Sequence, residues 1–339
     1  MRCWKPALVL FVLAPLVGEV LFGAIPLSRL PFGLLGVVGL YGGGALLVRE
    51  FVRRRRLPTE WMLWLGLAYG ILEEGTVLQS LFDQRYPGLD FLGFYGHWAG
   101  VNWVWSAFIV PYHAVFSIAI PIALTELAFP DVREEPWLDR TGLIGAAAGL
   151  LVNGALLAVF KTGVFTTHAP RTSLWANLAA ALCSVTVVAA AWRAQPAREG
   201  RYDAGARRPS PRRMRVIGVA AGLAWFVGLR VLIIGDGKNL PAWFALLAAA
   251  SLVAAAWWRV SHWAATGGWT ERHTCALVAG ALPTSWLLGF LVAAAGGGSL
   301  VVDLAGHVLF GVAMFVGLRV LRRQVQHRTP SLEPPMAVS

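Results

Sequence analysis

The sequence predicts an all-α fold: a polytopic transmembrane helix bundle of about ten spans, with both termini on the cytoplasmic side. Three observations carry that prediction. The 339 residues are 57% hydrophobic and only 14% charged, where soluble domains carry about 25% charged residues. Apolar runs of about 20 residues, the length needed to cross a bilayer, recur along the whole chain. Lys and Arg then fall unevenly into alternate connections, as they do in membrane proteins. The sixteen Trp fit the same class, because Trp favours the headgroup region.

Ten intervals qualify as spans: 7–27, 32–52, 61–82, 101–125, 141–160, 173–192, 216–235, 240–258, 274–295 and 300–320. Arg2 and Lys5 ahead of an apolar run resemble a secretory signal. Glu19 interrupts that run and no small-x-small cleavage site follows, so it reads as an uncleaved first span. With the N-terminus inside, the inner loops hold Arg2, Lys5, Arg53 to Arg56, Arg133, Arg140, eight Arg between 193 and 215, Arg259, Arg272, Arg319, Arg322, Arg323 and Arg328. These are 22 basic residues, against five outside: Arg29, Arg85, Lys161, Arg171 and Lys238. The expected location is the plasma (inner) membrane.

Residues 193–215 are Pro- and Arg-rich with no apolar period, which predicts a disordered basic linker. It separates an N-terminal bundle, 1–192 with spans 1–6, from a C-terminal bundle, 216–320 with spans 7–10, followed by a tail, 321–339. The net charge of +11 sits in loops between spans, so it reports orientation and not nucleic-acid binding. The expected partner is the lipid bilayer, with a membrane-embedded or lipid-soluble substrate compatible and the oligomeric state open. Cys3, Cys183 and Cys275 lie far apart with no CxxC or Cys/His spacing, so neither a disulfide framework nor a structural zinc site is indicated. Ala224 to Leu232 and Ala313 to Leu321 match at eight of nine positions, in spans of opposite direction. The match reads as coincidence in a narrow alphabet or as a faint trace of duplication.

Ionisable residues deep in spans are costly, about 2.5–3.5 kcal/mol each on insertion scales, and usually face the bundle interior. Glu73 and Glu74 lie about 18–20 Å into the third span at 1.5 Å per residue. His113 and Glu19 lie twelve residues into the fourth and first spans. Four titratable groups from three neighbouring spans thus share one depth. Gly66, Tyr69, Gly70, Thr76 and Ser80 share the Glu73 face, and Asn102, Ser106, His113 and Ser117 form one stripe. Pro111 and Pro15 free backbone carbonyls nearby. Two adjacent carboxylates at that depth would not both be ionised. Asn153, mid-span, is a further polar candidate for the cluster.

Other features read as structural. Arg49, Glu50 and Arg230 suit snorkelling to a membrane face. Gly42 to Gly44 lacks phosphate-loop context and suits close helix packing. His97 lies in an outer loop with Asp83, Asp90 and Tyr95. His307, with Asp303 one turn further out, suits a hydrogen bond to a neighbouring helix.

Three functions fit these residues. A membrane-embedded hydrolase would use Glu73 or Glu74 as general base, with His113 as partner. Only under that reading is a divalent metal cofactor expected, on His113 and Glu73. A proton-coupled secondary transporter would relay a proton through Glu73, Glu74 and Glu19, with Asn102 and the Ser residues on substrate. A non-catalytic membrane scaffold would use the same groups only to lock helices together.

The runs APLVGEVLFG (14–23), YGGGALLVRE (41–50), YGILEEGTVLQSLFD (69–83) and GVNWVWSAFIVPYHAVFSIAIPIALTELAFP (100–130) resemble an uncharacterised family of bacterial multi-pass membrane proteins. Glu73, Glu74 and His113 are also similar to the glutamate pair and histidine of the type II CAAX prenyl endopeptidase and bacteriocin-processing family. That resemblance implies an intramembrane protease in which Glu and His activate water. The family pattern is EExxxR, FxxxH and HxxxN. Here EEGTVLQ has no Arg at the expected place, Phe108 and His113 are five apart, and no HxxxN follows.

Overall fold

Helix occupies each of the ten apolar intervals. The computed structural model describes residues 3–86, 89, 92, 94–164, 173–194, 209–228, 240–265, 269–295 and 298–328. Among the described residues 81% are helical. Among the described residues the only strands are the two-residue pair His97–Trp98 and Val101–Asn102, joined as a tight antiparallel hairpin. Helix α1 (Trp4–Pro15) continues as a π turn, Leu16–Val20. Then come α2 (Leu30–Arg54) and α3 (Trp61–Ile71), the latter extended by a π turn at Leu72–Val77. Helix α4 (Trp103–Tyr112), a π turn (His113–Ala119) and α5 (Ile120–Ala128) form one continuous rod. The remainder are α6 (Arg140–Val164), α7 (Leu174–Arg193), α8 (Pro211–Leu223) with a π turn at Ala224–Gly228, α9 (Ala242–Ala265), α10 (Glu271–Ala295) and α11 (Leu300–Arg328).

Among the described residues seven helices are long and apolar enough to cross a membrane: 27–54, 103–128, 140–159, 174–193, 242–261, 271–295 and 300–328. The protein is therefore an all-α membrane helical protein. The helix from Pro211 is described as far as Gly228, while the rods 4–20 and 61–77 are shorter and each ends in a π turn. There the ladder slips by one residue: Leu21 N–H donates to the Leu16 carbonyl and Leu78 N–H to the Glu73 carbonyl. The chain leaves the helix soon afterwards, through Gly23 at φ 82° and Gln79 at φ 64°. Two expected boundaries also move. Helix α8 already starts at Pro211, inside the stretch read as linker, because Ser210 caps it and Pro suits a first helical turn. Helix α11 runs on to Arg328, into the expected tail. The middle of the linker, Arg230, Asp90 and residues 329–339 lie outside the described residues.

Small residues set the packing. Helix α6 lies along α2, where Gly39 meets Gly149 and Gly43 meets the Ala146 carbonyl. Gly42 faces the Phe11 backbone, and Gly44 lies under the Tyr69 ring. Helix α3 packs on the π turn of the α4–α5 rod through Gly66 against Ala114 and Gly70 against Val110. The two expected bundles share a core. Phe226, after α8, packs against Phe22, Tyr112 and Phe116 from the first half.

The segments assigned to the inner side meet on one face. Cys3 N–H bonds the Trp137 carbonyl, Arg133 pairs with Glu271, and Arg328 reaches the Leu127 carbonyl. At this face the snorkelling expectation for Arg49 and Glu50 is overturned, since both are 0% exposed. Arg49 donates to Glu126 at 3.1 Å, Glu50 at 3.0 Å and the Arg133 carbonyl at 2.6 Å, with its guanidinium 3.3 Å from the Trp137 ring centre. Arg53 binds the same Glu126 through both oxygens, at 2.9 and 2.6 Å. Glu50 also accepts the Trp137 N–H at 2.7 Å. A carboxylate from another helix lies within reach of α2, so pairing inside the protein replaces a trip to the surface.

Candidate functional site

Three of the four π turns, Leu16–Val20, Leu72–Val77 and His113–Ala119, present titratable residues to one place. π segments make up well under 1% of residues in globular proteins and concentrate at functional sites. Local sequence explains their position here. Pro15 stands immediately before Leu16–Val20, Gly75 lies inside Leu72–Val77, and Pro111 and Pro121 bracket His113–Ala119. Proline removes an N–H from the ladder, and one extra residue in the turn rotates Glu19, Glu73, Glu74 and His113 toward the interior. Tyr112 satisfies a carbonyl in this region, donating to Gly18 at 2.7 Å.

His113 is the centre. Its Nε2 lies 2.9 Å from Glu74 Oε1. Its Nδ1 lies 3.0 Å from Ser117 Oγ and 3.2 Å from Glu73 Oε2. Glu73, Glu74 and His113 are 1%, 5% and 2% exposed. The second Glu74 oxygen accepts from Ser80, whose own oxygen accepts the Trp105 indole N–H at 2.9 Å. Glu19 joins through Tyr41, which donates to its carboxylate. The Tyr41 and Tyr69 rings lie 6.0 and 6.2 Å from the His113 ring. The buried Tyr69 hydroxyl also faces the Glu73 carboxylate.

Four of the sequence candidates are thus brought together: Glu19, Glu73, Glu74 and His113. Three are not. Asn102 caps α4, accepting the Trp105 N–H at 3.0 Å, and Ser106 donates back to the Asn102 carbonyl at 2.7 Å. Asn153 sits on α6 and accepts the Gly39 N–H from α2, so it clasps two helices away from the cluster. The expectation that Asn153 joins the site is corrected: its side-chain oxygen is committed to the α2 backbone. His307 bonds the Trp286 carbonyl of α10 at 2.8 Å, and Asp303 accepts the Ser28 N–H at 2.9 Å. Tyr41 and Trp105 escaped the sequence reading. Tyr41 heads the Gly42–Gly44 run, and a hydroxyl beside three glycines on a span was the available signal.

The donor set fits a metal poorly. Among the described residues no group of three His, Cys, Asp or Glu is arranged to hold one. Both ring nitrogens of His113 already face protein oxygens. The arrangement suits proton exchange better. With the proton on Nε2, His113 donates to Glu74 and accepts from the Ser117 hydroxyl. With it on Nδ1, the ring donates to Ser117 and accepts from a protonated Glu74. Both tautomers keep their hydrogen bonds, so a proton can pass without leaving an orphaned group.

No curated protein and no solved structure matches the chain. A family model described as an uncharacterized membrane protein family matches residues 8–326. The resemblance read in the first 130 residues therefore extends over nearly the whole length, and the chain belongs to that family.

Proposed function

We propose that this protein is a proton-coupled secondary transporter whose proton site is the Glu19, Glu73, Glu74 and His113 cluster, in a bundle of ten spans with both termini cytoplasmic. One observation supports it above the others: His113 contacts Glu74 directly and lies beside Glu73, with all three sealed from the surroundings. Buried ionisable groups joined by hydrogen bonds are the usual parts of a proton relay in membranes. The π turns supply flexible points where spans can rearrange around the site.

The test is reconstitution in liposomes with a trapped pH dye and a broad panel of external solutes. A solute that drives proton movement in the native protein supports transport. Glu73→Gln and His113→Gln should each reduce that movement by on the order of 100-fold, the lower range for a positioned proton-transfer group. Absence of proton movement across the panel, or full movement in both variants, contradicts it.

A second reading is a membrane-embedded hydrolase, favoured by the carboxylate of Glu73 beside the His113 imidazole, Oε2 to Nδ1 3.2 Å, the pairing that a general base needs. Cleavage of a lipidated or signal-like peptide, abolished by Glu73→Gln, would select that reading. The direct 2.9 Å contact between Glu74 and His113 leaves no room for a water between them.

A further inference from the structure

Helix α6 packs along α2 and α7 along α3, and a crevice of about 210 Å³ lies between the two pairs. Its walls are apolar: Gly44 and Phe51 of α2, Leu65 and Tyr69 of α3, and Ser184 and Val188 of α7. The one hydroxyl among the α7 wall residues is turned away, donating to the Ala68 carbonyl at 2.9 Å. Val188 is 42% exposed, so the crevice opens on the outer surface of the bundle, where acyl chains lie. Its inner end is the Tyr69 ring, against Gly44. The Tyr69 hydroxyl is buried and faces Glu73.

Just past the crevice, beyond Phe51, lies a basic residue. One helical turn beyond Phe51 on α2 is Arg55, and one turn beyond Val188 on α7 is Trp192. The Arg55 guanidinium lies 4.5 Å from the Trp192 ring centre and donates to the Trp192 carbonyl at 2.5 Å. Its Nε is buried without a partner. Arg49, Arg53 and Arg54 each pair with a carboxylate. Among the described residues no carboxylate pairs with Arg55. An apolar slot beside a guanidinium that no carboxylate among the described residues neutralises is complementary to an anionic amphiphile.

We propose that the crevice seats one anionic membrane phospholipid, its acyl chain laid from Phe51 and Val188 toward Tyr69 and its phosphate on Arg55. The chain would press on the face of Tyr69 opposite His113 and Glu73. This reading is independent of the proton-transport proposal, because lipid occupancy needs no proton movement.

The test is photo-crosslinking of the full chain in nanodiscs, with phosphatidylglycerol or phosphatidylcholine carrying a diazirine on the acyl chain. Peptide mapping should place phosphatidylglycerol adducts on residues 44–51, 65–72 and 184–188. Arg55→Gln should lower that labelling about fivefold, the factor for one basic residue at an anionic surface. Arg56→Gln, which removes the same charge next door, should leave it unchanged, as should exchange to phosphatidylcholine for the Arg55→Gln protein. Val188→Trp should fill the slot and abolish adducts. If that variant does not fold, the Arg55 and Arg56 pair still decides. Equal labelling of the crevice and of Leu151 and Leu182 on the open surface would overturn the proposal. So would equal effects of Arg55→Gln and Arg56→Gln.

Discussion

At the residue scale, Arg49 and His113 both carry an ionisable head into an apolar bundle, and they are stabilised in different ways. Arg49 is satisfied by two carboxylates and a backbone carbonyl, and its guanidinium lies on Trp137. Its charge is fixed, and the clasp holds residues 126–138 against α2. His113 faces groups that can each give or take a proton. Arg49→Met should therefore lower stability while sparing the chemistry. Glu126 keeps Arg53 and Glu50 keeps Arg54, so the cost should sit at about 3 kcal/mol, the low end for breaking a buried ion pair. Thermal unfolding in detergent checks this, and an unchanged midpoint would count against the clasp. The sequence exposed His113 because depth and helical phase can be counted. It hid the role of Arg49 because the deciding partner, Glu126, is 77 positions away. Asn153 shows the reverse error: depth alone placed it with the cluster, and packing of α6 on α2 placed it elsewhere.

At the element scale, the π turns are what the apolar pattern could not reveal. Hydrophobic periodicity locates helices, but a slip of one residue changes the facing direction without changing composition. Ala224 to Gly228 begins in a π turn, whereas the nearly identical Ala313 onward lies in regular helix. Neighbours therefore decide the local geometry there, not the nonapeptide itself. Close approach of α3 to the His113 turn depends on Gly66, where a Cβ would meet Ala114 Cα at 2.7 Å. Gly66→Val should push α3 away from His113 and cost about 1–3 kcal/mol by overpacking. Gly145, on α6, has open space around its would-be Cβ, so Gly145→Ala should be neutral or stabilising by up to about 1 kcal/mol through helix propensity. Unfolding midpoints of the two variants compare these directly. Equal effects would mean that the glycine contact does not position the site.

At the scale of the whole molecule, the membrane class was legible from composition alone, and the alternation of basic loops anticipated which ends share a face. The number of crossings was less legible, because the rods 4–20 and 61–77 fall short of the length and apolarity of the other seven, and the run that holds 211–228 continues outside the described residues. The apolar runs of the rods 4–20 and 61–77 continue beyond the helical ladder, through turns that a hydropathy window cannot distinguish from helix. Ten spans put Ser210 and Leu240 on opposite sides of the membrane; fewer crossings around α8 would put them on the same side. Single cysteines at these positions, in a protein lacking Cys3, Cys183 and Cys275, can be probed with a membrane-impermeant maleimide. In intact cells Leu240→Cys and the outer-loop Trp98→Cys should label, and Ser210→Cys and Glu134→Cys should not. Labelling of both or neither of Ser210→Cys and Leu240→Cys would remove the crossing by α8.

The claim on which the functional account rests is that Glu19, Glu73, Glu74 and His113 exchange protons as one coupled unit. Infrared difference spectroscopy of the membrane-reconstituted protein across a pH series measures it directly, through the carboxyl stretch and the imidazole bands. Glu73→Gln, Glu74→Gln and His113→Gln should each remove one group's signal and shift the titration of those that remain. If the remaining groups titrate unchanged, or no carboxyl in the cluster changes protonation across the series, the cluster is a structural lock and the proton-handling account fails.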